Sequence, residues 1–164
     1  MVAPEGTATR PTADRVRESV FNMLYSLDDP IAGATVADLY AGTGAYGLEA
    51  LSRGAGRVIF VEQHRSALAA LATNVESLGF AAAATIVRDD VGRWLAQAPA
   101  VDVVFVDPPY DFDGWSDLLI RVRSRLVVAE TSRSITVPDG WELVKERVYG
   151  ATVVSVLRSD TSVE

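Results

Sequence analysis

The chain has 164 residues, of which 49% are hydrophobic and 23% charged, a composition typical of globular proteins with one domain. It has no cysteine and a single histidine, which excludes disulfides and thiolate metal sites and argues against structural zinc. The net charge of -7 argues against a protein that coats nucleic acid through a positive field, while local contacts stay possible.

Membrane and secretory proteins are also disfavoured. No apolar run approaches the roughly 20 residues that span a bilayer. The N-terminus lacks the charged-then-apolar pattern of a secretory signal. We therefore expect a cytoplasmic protein.

The first predicted elements are an extended lead-in, residues 1–12, and an amphipathic helix. Residues 1–10 are rich in Pro, Gly and Thr and show no periodicity. Thr12 suits an N-cap, and apolar residues at helical spacing predict a helix from about Ala13 to Leu27. Asp29-Pro30 then ends this helix.

From Thr35 onward, short β-branched runs alternate with helical segments. The predicted strands are Thr35–Tyr40, Arg57–Val61, Ala84–Val87, Val101–Val106 and Leu126–Ala129. The predicted helices between them are Gly44–Arg53, His64–Leu78, Val91–Ala98 and Trp115–Arg125. This alternation predicts a parallel sheet with right-handed crossovers and helices on both faces.

The tail departs from this pattern, because Trp141–Val148 and Ala151–Arg158 are two strand-like runs joined only by Tyr149-Gly150. A two-residue connection requires antiparallel pairing, so the sheet should finish with an antiparallel strand at its edge. We expect one α/β domain over residues 1–164, with a seven-stranded, mostly parallel sheet.

A strand, a glycine-rich turn and a helix follow one another in residues 36–47. Gly42 and Gly44 permit a tight turn that a ligand can approach, and with Gly47 they also fit a dinucleotide-binding pattern. Asp38 argues against a pyrophosphate, because its charge suits a cationic group such as an ammonium or a sulfonium. The candidate cofactor-binding residues here are Asp38, Tyr40, Ala41, Gly42 and Gly44.

The next two strand ends also carry carboxylates. Glu62 can accept hydrogen bonds from both ribose hydroxyls. In Asp89-Asp90-Val91, a carboxylate can accept from an adenine amino group while a backbone N–H donates to the ring, and Asp90 and Val91 are the candidates. The three strand ends together describe S-adenosylmethionine, although each carboxylate taken alone could be an ordinary cap.

Asp107-Pro108-Pro109-Tyr110 follows an apolar strand and should lie at the same sheet edge as the glycine turn. Methylating the exocyclic amine of a base requires acceptors for its two N–H groups, which the Asp107 carboxylate and the Pro108 carbonyl can supply. The prolines hold the backbone rigid, and Tyr110 offers a ring for a flipped-out base. These four residues are the candidate catalytic residues, and Asp107 is also a candidate cofactor-binding residue. Pro-Pro as a plain strand terminator is the alternative.

These motifs resemble those of class I methyltransferases and, more narrowly, of the RsmD family, bacterial enzymes that methylate the N2 amine of a guanine in 16S ribosomal RNA. The resemblance covers nearly the whole chain. It rests on residues 10–22 (Arg10-Pro11-Thr12 and the helix start that follows), on residues 38–55 (Asp38 to Gly44 and Gly47 to Ala55), and on Asp107-Pro108-Pro109-Tyr110.

The resemblance implies S-adenosylmethionine as cofactor, S-adenosylhomocysteine as product, and 16S RNA in the small subunit or its assembly intermediate as partner. It implies no metal, no membrane contact and a monomer. It also places Arg10, Arg17 and Phe21 near the pocket, with Arg10, Arg17 and Tyr110 contacting substrate. The family usually begins with a further basic, glycine-containing segment, whereas only Met1 to Thr9 precede Arg10 here. Adding a basic segment should tighten RNA binding.

Several alternatives stay open. A DNA adenine-N6 or cytosine-N4 methyltransferase would share the tetrapeptide, a non-catalytic module could bind the cofactor alone, and an NAD-binding domain is a more distant option. His64 is interpreted as a solvated residue at a helix start. The three tryptophans are interpreted as packing residues, and Arg121, Arg123 and Arg125 as a solvated helical surface. The role of Glu130 is left undecided between structure and substrate positioning.

Overall fold

The computed structural model describes residues 11–161, which form a seven-stranded sheet in the order β3-β2-β1-β4-β5-β7-β6. The strands are β1 Thr35–Leu39, β2 Arg57–Glu62, β3 Ala84–Arg88, β4 Val101–Val106, β5 Ser124–Thr131, β6 Trp141–Tyr149 and β7 Thr152–Ser159. The α-helices are α1 Pro11–Ser26, α2 Ala45–Ser52, α3 Arg65–Ser77, α4 Val91–Leu95 and α5 Trp115–Arg121, with a 3₁₀ turn at Ala81–Ala83.

The sheet contains one antiparallel strand, as predicted, but that strand is not at the edge. β1 to β5 pair in parallel, and β7 pairs antiparallel with both β5 and β6, so β6 runs with the others and forms the edge. The order follows from burial: residues 153–157 of β7 are all buried, as an interior strand requires. β6 carries Glu142, Lys145, Glu146 and Arg147, the charged side chains that protect an edge.

Helices cover both faces of the sheet, as predicted. One apolar core lies under α1, α2 and α3, and includes Phe21, Leu48 and Leu71. The other lies under α4 and α5 and includes Trp94 and Trp115. Within residues 11–161, no helix has both the length and the apolar character that crossing a bilayer demands.

Three predicted helix boundaries are wrong by two residues or more, and one of them is the end of α4, which lies at Leu95 rather than Ala98. Helix α1 begins at Pro11, inside the predicted lead-in and before Ala13, because the fixed φ of proline suits the first turn of a helix. Helix α5 ends at Arg121 rather than Arg125, because Val122 is extended and Ser124 already pairs with Val101 of β4. Arg123 and Arg125 therefore do not lie on a helix.

The hairpin turn is displaced by one residue. Tyr149 pairs with Thr152, so Gly150 and Ala151 form the two-residue connection. Gly150 has a φ of +60°, a left-handed conformation that glycine adopts without strain, which fixes the turn at this point.

Candidate active site

The glycines of the turn between β1 and α2 have different surroundings, so each is required for a different reason. Gly42 has a φ of +58° and nothing within 4 Å of where a Cβ would stand, so its backbone is open to a ligand. A Cβ on Gly44, which has a φ of +90°, would lie 2.4 Å from Leu71 of α3. A Cβ on Gly47 would lie 2.3 Å from the ring of Phe60, so this glycine lets α2 pack against β2. The turn therefore combines an open backbone with close helix packing.

Glu62 holds the turn in place from the end of β2. One carboxylate oxygen accepts a hydrogen bond from the Gly42 N–H at 2.9 Å. The other accepts from the N–H groups of Gln63 at 2.7 Å and His64 at 2.8 Å. The carboxylate is buried but borders the cavity described next, so a ligand there would find it already oriented.

A cavity of about 310 Å³ lies at the carboxyl ends of β1, β2 and β4, where ligands bind in open α/β sheets. Its size is at the lower end of the range for small-molecule sites. It is lined by Tyr40, Val61, Glu62, Gln63, His64, Asp89, Val91, Asp107, Pro108 and Pro109. The glycine-turn, second-strand and third-strand regions and the proline corner therefore meet at one edge of the sheet, as the sequence predicts.

The two aspartates in the loop after β3 have different roles. The Asp90 side chain accepts from the Arg93 N–H at 3.0 Å and so caps α4. Asp89 lines the cavity, accepts from the Asp90 N–H at 2.8 Å and lies 3.4 Å from the Arg93 guanidinium. The carboxylate that faces the cavity is thus Asp89, beside Val91, and the side chain of the candidate Asp90 is engaged as a cap.

Asp107-Pro108-Pro109-Tyr110 forms an open corner at the end of β4. The Pro109 carbonyl accepts from the Phe112 N–H at 2.9 Å, whereas the Pro108 carbonyl accepts no hydrogen bond within residues 11–161. Tyr110 is 82% exposed, so its ring is open to a stacking partner. The Ser132 hydroxyl donates to the Tyr110 carbonyl at 3.3 Å, which ties the corner to the loop after β5.

A row of acidic groups crosses the ends of β1, β4 and β5. Asp38 is buried and accepts from the Gly47 N–H at 2.9 Å; burial raises the pKa of its carboxyl well above the usual value. Asp38 does not line the cavity, so any effect on a cationic ligand would act through its charge. Asp107 has solvent on one side, yet desolvation and then the charge of Glu130 raise its pKa to about 7. Solvent screens part of that repulsion, and both causes act upward.

No basic side chain in the described part of the chain neutralises this row. The ion pairs within residues 11–161 join Arg17 to Asp14, Arg53 to Glu49, Arg93 to Asp89 and Arg121 to Asp117. Asp38, Glu62, Asp107 and Glu130 take part in none of them. A cationic ligand group would therefore meet carboxyl groups that no basic side chain pairs with in residues 11–161, and its charge would favour their ionised forms.

Helix α1 covers the face on which this acidic row lies. The Phe21 ring packs 5.3 Å from that of Phe105 and 6.2 Å from that of Tyr46. Arg17, one turn earlier, is mostly buried and contacts Asp14 at 2.8 Å. Arg10 lies outside the described residues. Arg17 and Arg10 as substrate contacts stay predictions.

The remaining residues considered in the sequence analysis, His64, the tryptophans and Arg121, have contacts that serve the fold. His64 is the N-terminal cap of α3 and is exposed beside the cavity, where its backbone N–H is bonded to Glu62. Trp94 and Trp115 are buried, and Trp141 donates to the Leu119 carbonyl, so packing is confirmed for the tryptophans. The guanidinium of Arg121 binds the Gly92 carbonyl and thereby joins α5 to α4.

Sequence reasoning missed the bond between Tyr46 and Glu130. The Tyr46 hydroxyl donates to Glu130 at 2.5 Å across 84 residues of sequence. Desolvation, followed by the charge of Glu130, raises the Tyr46 pKa far above its usual range, so the hydroxyl keeps its proton. The available signal was that Glu130 follows an apolar strand, as Asp38, Glu62 and Asp107 do.

Comparisons with known proteins agree with this geometry. A family model described as conserved hypothetical protein 95 matches residues 1–158. Ribosomal RNA small subunit methyltransferase D of Escherichia coli K12 is 36% identical over 163 residues, covering 90% of this chain and 78% of that protein. YlbH of Bacillus subtilis is 33% identical over 170 residues, covering 95% and 91%. The solved structure of YhhF from Escherichia coli superposes with a TM-score of 0.84 at 32% identity, covering 98% and 92%.

Proposed function

The chain belongs to the RsmD family of S-adenosylmethionine-dependent methyltransferases, and from this premise we propose that it methylates the N2 amine of a guanine in 16S ribosomal RNA. The observation that carries the proposal is the junction of two features at one sheet edge. Asp107, Pro108 and Pro109 line the same cavity as Glu62 and Asp89, and Tyr110 stands open beside it. A nucleoside site therefore adjoins a corner built to receive an amine.

The residues present fit the cofactor. Glu62 and Asp89 offer carboxylates to ribose and adenine, Val91 lines the cavity beside them, and Gly42 leaves the backbone open. The carboxyl groups of Asp38, Asp107 and Glu130 suit a cationic tail. When bound, S-adenosylmethionine supplies an electrophilic methyl group on a sulfonium, whose transfer leaves a neutral thioether.

On the substrate side, the chain orients the amine and removes its proton. The Asp107 carboxylate and the unengaged Pro108 carbonyl accept the two N–H groups, which leaves the nitrogen lone pair accessible. The nitrogen forms a bond to the methyl carbon while the carbon–sulfur bond breaks and its electrons stay on sulfur. Asp107 then takes a proton from the methylated nitrogen. Holding nitrogen and carbon near contact can contribute roughly 7 to 11 kcal/mol to catalysis.

Replacement of the aspartate tests this assignment. We expect Asp107→Ala to lower single-turnover methyl transfer to unmethylated small subunits by at least about 100-fold, the usual range for a positioned acid–base group. Binding of S-adenosylmethionine, followed by calorimetry, should fall far less than methyl transfer does, because Glu62 and Asp89 remain. Near-normal transfer in this variant would overturn the mechanism.

The substrate is tested by offering ribosomal and non-ribosomal targets side by side. We propose small subunits or their assembly intermediates in the cytoplasm as the partner, with the protein acting as a monomer and without a metal. After incubation with unmethylated small subunits, mass mapping should locate one N2-methylguanosine. Methylation of plain DNA at an adenine or cytosine instead would contradict the proposal.

A further inference from the structure

Glu130 lies beside the catalytic corner on the neighbouring strand. Val106 of β4 pairs with Ala129 of β5, so the next residues along the two strands are Asp107 and Glu130. Neighbouring strands lie about 5 Å apart, and side chains paired in parallel strands point to the same face. The charge of Glu130 is one of the two causes that raise the pKa of Asp107. Asp107 thus lines the cavity, and Glu130 lies next to it on the same face of the sheet, outside the cavity lining.

The second carboxylate is also held in a fixed orientation. Its Oε2 accepts from the Tyr46 hydroxyl at 2.5 Å. The Tyr46 ring is itself stacked on Phe105, with 5.0 Å between centroids and 18° between planes. Within residues 11–161, Glu130 Oε1 accepts no hydrogen bond. One oxygen is therefore fixed by the fold, and the other is left to accept from a ligand.

The edges of the bases differ in what such a pair of acceptors can bind. Guanine carries two adjacent donors, the N2 amine and the N1–H. In adenine and cytosine, the ring nitrogen beside the exocyclic amine is an acceptor. We propose that Glu130 selects guanine by accepting the N1–H while Asp107 accepts from the N2 amine, an inference that rests on the proposed function. A base with a ring acceptor at that position would face a carboxylate oxygen and be repelled.

An anchoring role for Tyr46 does not by itself account for Glu130. A neutral acceptor such as a glutamine carboxamide would hold the Tyr46 hydroxyl equally well. A carboxylate there also opposes ionisation of Asp107, an unfavourable interaction that a purely structural residue would avoid. Recognition of the guanine N1–H explains why residue 130 is a carboxylate rather than a neutral acceptor.

The test places either guanine or 2-aminopurine at the mapped target in reconstituted small subunits. 2-Aminopurine keeps the N2 amine but has an acceptor at N1. Wild-type protein should prefer guanine by about 10- to 100-fold in kcat/KM, as expected for one hydrogen bond to a charged group. Glu130→Gln should reverse the preference, because a carboxamide keeps the acceptor for Tyr46 and can donate to the ring nitrogen.

A second readout does not depend on methyl transfer. The fluorescence of 2-aminopurine rises when the base leaves its stack, so it reports entry into the site. Glu130→Gln should increase this signal relative to wild type. Tyr46→Phe, the matched control, keeps the carboxylate but not its orientation, and should weaken the preference for guanine without reversing it. Calorimetric affinity for S-adenosylmethionine should be similar in wild type and Tyr46→Phe, because Tyr46→Phe keeps every carboxylate of the site.

The outcomes separate the two proposals. If wild-type protein methylates neither substrate, the proposed function fails, and the role of Glu130 fails with it. If wild-type protein methylates guanine and 2-aminopurine equally, the function stands and the role of Glu130 is refuted, whether or not any variant folds. Equal losses on both bases in Glu130→Gln, with an unchanged ratio, would assign this residue to structure alone.

Discussion

The position of Asp107 in the site disfavours the ionised form of its carboxyl group. Desolvation and the nearby Glu130 charge favour the protonated carboxyl, although the proposed chemistry needs the ionised acceptor. Groups whose pKa is moved toward neutrality are common at catalytic sites, because their charge must be available without being fully stabilised. At this residue, function and stability therefore act in opposite directions.

One consequence is a pH-dependent rate. The pKa of Asp107 is raised from 3.8 to about 7, so the acceptor form is populated only as the pH rises through that range. We expect kcat/KM for methyl transfer to rise about tenfold per pH unit below the midpoint and to level off above it. A pH-rate profile on small-subunit substrate measures this, and a flat profile from about pH 5 to pH 8 would rule it out.

A second consequence concerns stability. Because the folded-state pKa of Asp107 exceeds the unfolded value, the folded protein binds the proton more tightly, and its stability falls as the pH rises from about 4 to about 7. Asp107→Asn cannot ionise, so we expect its Tm, relative to that of wild type, to be higher near pH 8 than near pH 5. Thermal unfolding at both pH values tests this, and a constant difference would contradict it.

At the level of elements, the turn between β1 and α2 separates packing from ligand access. Gly47 lies where a Cβ would stand 2.8 Å from Val58 and closer still to Phe60. Gly42 has open space but a φ of +58°. Replacement by alanine should therefore lower stability at Gly47 and should weaken ligand binding at Gly42.

We expect Gly47→Ala to lower the free energy of unfolding by about 1 to 3 kcal/mol, because α2 must move off β2. Gly42→Ala, the matched control, should cost about 1 to 2 kcal/mol of backbone strain and should also weaken S-adenosylmethionine binding. Urea unfolding and calorimetry measure the two effects. Unchanged stability in Gly47→Ala would show that α2 adapts without loss.

Local patterns predicted the elements well, and long-range arrangement less well. β4 has the predicted bounds, because its largely apolar run stops directly before Asp107. β2 begins at Arg57 as predicted, directly before an apolar run. The position of β7 inside the sheet does not follow from a hairpin pattern, because either strand of a hairpin can pair outward. The Tyr46–Glu130 bond joins residues 84 positions apart, and no local pattern encodes it.

At the scale of the whole molecule, hydrogen bonds within the protein hold parts of the site in place. Glu62 already joins the glycine turn to the start of α3, and the cavity is open at one end of the sheet. Ordering that precedes binding costs little when the ligand arrives, so binding energy should appear as added stability.

We therefore expect S-adenosylmethionine at 100 times its dissociation constant to stabilise the fold by about 2.7 kcal/mol, which raises the Tm by several degrees. NAD at the same concentration should not, because the carboxylates of Glu62, Asp89 and Glu130 near the site disfavour a pyrophosphate. Differential scanning calorimetry with each compound tests this. Equal shifts would favour a dinucleotide-binding protein.

The interior position of β7 has a consequence for biosynthesis. On a translating ribosome, Trp141–Tyr149 emerges before Thr152–Ser159, yet β7 is the strand that pairs with β6, so β6 has no neighbour in the sheet until β7 has emerged. Glu130 likewise gains its cross-strand neighbour Val154 only then. A nascent chain halted before residue 152 would expose the β5 edge, so the carboxylate assigned to guanine recognition gains its neighbouring strand only after β7 has been synthesised.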